Sequence, residues 1–141
     1  MRWITTKVVL LVDSDDEVLC VLKTALQYTD YVPLQAKTGQ EALAVLSRLR
    51  DPIDLTILDL DLPSDDGLVI SLLTILDRRK TTKIIVKTFR QDKPFLDSVT
   101  YFGIDAIILK PIAEEQLIKT VQEMLSGHRN SSAVVSAGSA A

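Results

Sequence analysis

Cysteine is nearly absent from this chain: Cys20 is alone among 141 residues. One thiol builds neither a disulfide framework nor a cysteine-rich zinc site. Flanked by Val18, Leu19, Val21 and Leu22, it reads as a small core side chain in a reducing compartment. Histidine is as scarce, and the sole one, His128, falls in a Ser-, Ala- and Gly-rich tail where it is expected to be idle. Positive charge is not in excess: 16 Lys and Arg face 19 Asp and Glu, for a formal net charge of −3. The short Arg78-Arg79-Lys80 cluster reads as the solvated end of a helix, so nucleic acid is not expected as a direct partner. No apolar run approaches the roughly 18 residues of a membrane span. Met1-Arg2-Trp3 leads into a strand rather than a signal peptide, and a cytoplasmic location is expected.

What is present is an ordinary soluble composition, 47% hydrophobic and 25% charged, at a length that gives one domain. Apolar runs with β-branched residues alternate with segments of helical period. Strands are expected at Lys7–Val12, Tyr31–Ala36, Leu55–Leu58, Lys83–Lys87 and Ile104–Leu109. Between and after them, helices are expected over Asp16–Tyr28, from Thr38 through Leu49, over Gly67–Arg78, over Pro94–Phe102 and over Ala113–Leu125. Thr38 with Glu41 spells a capping box, Ser14 or Asp15 caps the first helix, Gly103 ends the fourth, and Pro33 confines its strand to a sheet edge. Short connections and right-handed crossovers make this an α/β fold, a doubly wound five-stranded parallel sheet of order 2-1-3-4-5, flavodoxin-like. Residues 1–126 form the domain and 127–141 a flexible tail.

The polar residues of interest all follow their strands at the same end: Asp13 after the first, Asp59 after the third, Thr88 after the fourth, Lys110 after the fifth. In this strand order Asp13 and Asp59 face each other across the switch point. Two such carboxylates repel unless a cation intervenes, and Mg²⁺ with carboxylate, carbonyl and water ligands suits the place. Lys110 supplies a second positive charge.

The pieces V-D-S-D-D-E-V-L, L-D-L-D-L-P-S-D-D-G, Thr88 after I-I-V-K, and G-I-D-A-I-I-L-K-P together resemble the receiver domain of two-component response regulators, from about Lys7 to Leu125. The resemblance implies a signalling phosphoprotein in a phosphorelay, not a turnover enzyme on small substrates. Asp59 becomes the phosphoacceptor for a histidine kinase or phosphotransfer protein. Asp13, Asp59 and the backbone carbonyl of Asp61 become Mg²⁺ ligands, with Asp15 a further candidate. Thr88 donates its hydroxyl to a phosphoryl oxygen, and Lys110 precedes a proline, Pro111, that is cis in the family. The signal then passes to a downstream protein or output domain. The unusually apolar helix around Leu68 to Leu76 adds a homodimer or partner contact.

Three positions depart from the family pattern. Ser14 stands where a second acid is usual and weakens Mg²⁺ binding, or serves only as a helix cap. Phe89 replaces a small residue over the site, where its ring either narrows access to Asp59 or points outward. Ile107 replaces the usual aromatic switch residue. These departures keep a second reading open, a receiver-like interaction module that works without phosphorylation. A third, a small aspartyl-phosphate phosphohydrolase, rests on D-L-D alone; the motif follows the wrong strand, and the chain has no room for a cap.

Overall fold

The computed structural model describes residues 7–49, 52–63, 68–78, 82–126 and 133–136; for 68–70, 77–78 and 133–136 it describes the backbone only. Strands β1 (Lys7–Val12), β2 (Tyr31–Ala36), β3 (Leu55–Asp59), β4 (Lys83–Thr88) and β5 (Ala106–Leu109) alternate with helices α1 (Asp16–Ala25), α2 (Gly39–Arg48), α3 (Leu68–Arg78), α4 (Lys93–Thr100) and α5 (Glu114–Leu125). All strand pairs are parallel, and the order 2-1-3-4-5 is the one expected.

Alternation along the strands sends side chains to opposite faces and so divides the core in two. Leu10, Val12, Leu58, Ile84, Val86 and Ile107 pack under α2, α3 and α4, together with Ala42, Leu46, Leu72, Leu76 and Val99. Val9, Leu11, Leu55, Ile57, Ile85, Ala106 and Ile108 pack under α1 and α5, with Leu19, Leu22, Leu117 and Val121. The central strands are buried on both faces, as their unbroken apolar runs require.

Local signals explain the boundaries. Thr38 Oγ1 accepts from the Glu41 amide at 3.1 Å, while the Glu41 carboxylate reaches back to the Lys37 amide, at 2.9 Å, instead of closing on Thr38 itself. Asp15, not Ser14, caps α1, accepting from the Glu17 amide at 2.8 Å. Gly103 takes φ 71°, a left-handed conformation that costs glycine least, just past the end of α4. Pro33 lies on edge strand β2, opposite Val9.

Two expectations change. Cys20 is exposed, because the buried stripe of α1 runs through Leu19, Leu22 and Ala25 and position 20 turns away from it. The tail contributes a sixth strand, β6 (Ala133–Ser136), parallel to β5 at the free edge of the sheet. A parallel edge offers unpaired backbone groups to any extended segment within reach, and A-V-V-S supplies one. His128 and the Ser64–Gly67 part of the acidic turn lie outside the described residues. So do the side chains of Leu68, Val69 and Ile70, on which the expected partner contact largely rests; Leu72, Leu73 and Leu76 are buried in the domain's own core.

Candidate functional site

Strand parity brings four charged side chains to one place. On the face covered by α1 and α5, two residues beyond Leu11 is Asp13, two beyond Ile57 is Asp59, two beyond Ile85 is Lys87, and two beyond Ile108 is Lys110. All four line one cavity of about 430 Å³ at the carboxyl end of the sheet, between the loops that lead into α1 and α5. Thr88 follows Ile84 and Val86 and has the opposite parity.

Asp59 is 5% exposed. Its Oδ1 accepts from the Asp61 amide at 2.8 Å and from Lys110 Nζ at 2.9 Å. Among the described residues no hydrogen bond reaches Oδ2. Lys110 is set by the backbone: its amide donates to the Thr88 carbonyl at 2.8 Å, extending the β4–β5 ladder by one residue, and the Lys110–Pro111 bond is cis, as the resemblance implied.

The carboxylate of Asp61 gathers the donors around it. It accepts from Thr88 Oγ1 at 2.9 Å, from the Phe89 amide at 2.8 Å and from Lys110 Nζ at 3.1 Å. Burial alone would raise its pKa, but the Phe89 amide and then the Lys110 and Thr88 hydrogen bonds outweigh it and hold the carboxyl below its ordinary 3.8. Burial likewise works to lower the Lys110 pKa, and the hydrogen bond and charge of Asp59, followed by those of Asp61, outweigh it and raise it above 10.5.

Asp13 is 2% exposed, and its partner is Lys87, also 2% exposed. Lys87 Nζ donates to Asp13 Oδ2 in a buried ion pair, while Asp13 Oδ1 accepts from the Asp15 amide at 2.9 Å. In the sequence Lys87 was placed only as the last residue of the fourth strand. Its parity with Ile85, which places it on the face of Asp13 and Asp59, was the available signal.

The remaining candidates are placed as follows. Ser14 is half-buried and lines the cavity. Asp15 is exposed and spends its carboxylate on the cap of α1. Phe89 sits at the rim, 60% exposed, and lines the cavity with its ring centroid 4.6 Å from Lys110 Nζ, so the ring lies against the ammonium. Ile107 is 1% exposed and packs with Val86 on the opposite face.

Receiver domains generally hold Mg²⁺ at this position. The residues present here do not fit one as placed: Asp13 has one oxygen on an ammonium and the other on an amide, and Asp59 Oδ1 is taken twice. Among the described residues no group of three metal-ligating side chains is assembled.

Fold and site define a doubly wound α/β domain with an acidic pocket, bridged by two lysines, at its switch point. The chain belongs to the response regulator receiver domain family, whose model matches residues 9–122. It is 33% identical over 119 residues to the transcriptional regulatory protein CpxR of Klebsiella pneumoniae, covering 83% of this chain and 48% of that protein. It is 31% identical over 130 residues to the transcriptional regulatory protein AruR of Pseudomonas aeruginosa, covering 89% and 52%. The chain thus spans about half the length of these relatives. The crystal structure of a CheY-like receiver domain protein from Methanospirillum hungatei superposes with a TM-score of 0.66 at 25% identity, covering 87% of this chain and 96% of that one. Membership in this family and the position of D-L-D on the third strand leave the phosphohydrolase resemblance without support. No helix among the described residues is long and apolar enough to cross a membrane.

Proposed function

We propose that this domain accepts a phosphoryl group on Asp59 from a phosphohistidine of a histidine kinase or phosphotransfer protein. The supporting observation is the Asp59 carboxylate in an open cavity, with Lys110 at 2.9 Å and one oxygen undonated among the described residues. Asp59 attacks phosphorus, the phosphorus–nitrogen bond of the donor breaks, and the imidazole nitrogen keeps the electron pair. The product is an aspartyl phosphate, whose added charge falls beside Lys110. The Phe89 amide and the buried Thr88 hydroxyl are the next donors, and they must leave Asp61 to reach a phosphoryl oxygen. That exchange is the conformational step by which the domain alters its surface toward a downstream protein or output domain.

The test is incubation with acetyl phosphate followed by intact-mass measurement. One phosphoryl group adds to the wild type and none to Asp59→Asn; an unmodified wild type under every condition refutes the assignment.

One observation favours a second reading. The Asp61 carboxylate already engages the hydroxyl, the amide and the ammonium that a phosphoryl group would engage. A domain so satisfied is able to present a fixed binding surface with no phosphoryl group at all. Under that reading Asp59→Asn leaves partner binding intact.

A further inference from the structure

We propose that Lys87 replaces the divalent cation of this site, so that the pocket neither binds nor requires Mg²⁺. The inference rests on the reading of Asp59 as phosphoacceptor for its functional meaning, though not for its geometry.

Lys87 is in register with Asp59 on the neighbouring strand, and parity puts both on the same face. The strand order β1-β3-β4 sets Asp59 between Lys87 and Asp13. The gap from β4 to β1 is two strand spacings, about 9.5 Å, and the Lys87 and Asp13 side chains close it together by meeting over the end of β3 where Asp59 stands. The ammonium is therefore delivered to the carboxylate that, with Asp59, makes up the acidic side of the pocket. It arrives on a stem buried to 98% of its surface, which fixes it there.

The pairing agrees. Asp13 holds Lys87, and Asp59 holds Lys110, which Asp61 shares at 3.1 Å, so each of the two facing carboxylates has its own ammonium partner. The repulsion that calls for a cation between the two carboxylates is already relieved, by a covalently attached cation that cannot be chelated away. A dication entering beside Asp13 would have to displace the ammonium or sit against it. At an effective protein dielectric, a fixed unit charge within a few ångströms weakens a dication by at least about 100-fold. Asp15, the acid nearest in sequence, is held at the cap of α1 and does not add a ligand.

Titration of the full chain with MgCl₂ tests this, by calorimetry and by the amide resonances of Asp15 and Asp61. The wild type gives no saturable response through the millimolar range, whereas Lys87→Met gains one. Saturable binding to the wild type as tight as to Lys87→Met overturns the proposal, and this arm needs no phosphorylation. Because Lys87→Met strips Asp13 of its partner and risks the fold, Asp13→Asn/Lys87→Met serves as a second variant; it leaves no orphaned charge at that pair and loses the gained site. A second arm compares acetyl phosphate labelling of the wild type in EDTA and in MgCl₂. Equal labelling supports the proposal, and labelling only in MgCl₂ overturns it. No labelling in either condition removes the phosphoacceptor reading instead, and the calorimetric arm still decides whether Lys87 excludes the metal.

Discussion

Replacing Lys87 by methionine keeps most of the side-chain volume and removes its charge, which isolates the electrostatic role of the residue. Asp13 is then left as a buried carboxylate whose one remaining hydrogen bond among the described residues comes from the Asp15 amide. Breaking one side of a buried pair costs about 3–5 kcal/mol, because the orphaned charge keeps its desolvation penalty. With an unfolding entropy of about 2.1 cal/mol/K per residue, a chain of 141 residues loses roughly 10–17 °C in Tm for that cost. The assay is urea unfolding and calorimetry on the wild type, Lys87→Met, Asp13→Asn and the double variant. The double variant recovers most of the loss, since a neutral pair of similar volume is often as stable as the ionic one. The coupling energy from the cycle exceeds the part of the Lys87→Met loss that the double variant recovers, because Asp13→Asn alone also strands a buried charge. If a dication fills the emptied place, Mg²⁺ at ten times its Kd restores about 1.4 kcal/mol to Lys87→Met and nothing to the wild type. A loss below about 1 kcal/mol in Lys87→Met would refute the reasoning, for it would mean that the pair is solvated or that Asp13 is not charged.

Asp61→Ala releases Thr88, the Phe89 amide and Lys110 together. If recovering even one such charge-assisted donor lowers the barrier by about 1.4 kcal/mol, acetyl phosphate labels Asp59 about ten-fold faster, and a slower rate by intact-mass time course contradicts the gating role of Asp61. The same carboxylate sets an acid limb. Its folded-state pKa is depressed, so its contribution is fully present above the ordinary 3.8 and is lost as pH falls through the lower folded value; urea stability of Asp61→Asn is correspondingly flatter below pH 3.8 than that of the wild type. Lys110 behaves in the opposite sense, its raised pKa giving a contribution that persists up to 10.5 and disappears only at higher pH. Phe89→Ala removes an exposed ring and its contact with Lys110, which costs about 0.5–1 kcal/mol in urea unfolding; a loss of several kcal/mol would show that the ring is buried in solution.

Much of the site was legible because it follows from periodicity. A strand buried on both faces is an apolar run, and the first charge after it must lie at its end; Asp13, Asp59 and Lys110 were found in that way. Lys87 obeys the same rule, yet it sits inside the strand assignment, where a terminal lysine ordinarily reaches out to water. Counting in twos from Ile85 separates it from Thr88 and aims it at the acids. The carboxylate of Asp61 had no such signal. It lies in a turn whose direction depends on the hydrogen bond from its own amide to Asp59, so only its backbone carbonyl was anticipated as a ligand. Cys20 shows the converse error, an apolar neighbourhood in sequence that the helical turn distributes over two sides. The strand Ala133–Ser136 was unreadable for a different reason: four small or β-branched residues become a strand only when β5 presents an unpaired edge to them.

That last strand has a mechanical consequence. β6 runs parallel to β5, with Ser136 in register with Leu109, the residue immediately before Lys110. Parallel neighbours end at the same rim, so Ser136 stands roughly one strand spacing, about 4.8 Å, from the backbone that leads to the pocket's lysine. β6 thus fastens residues 133–136 beside the strand that leads into the pocket's lysine.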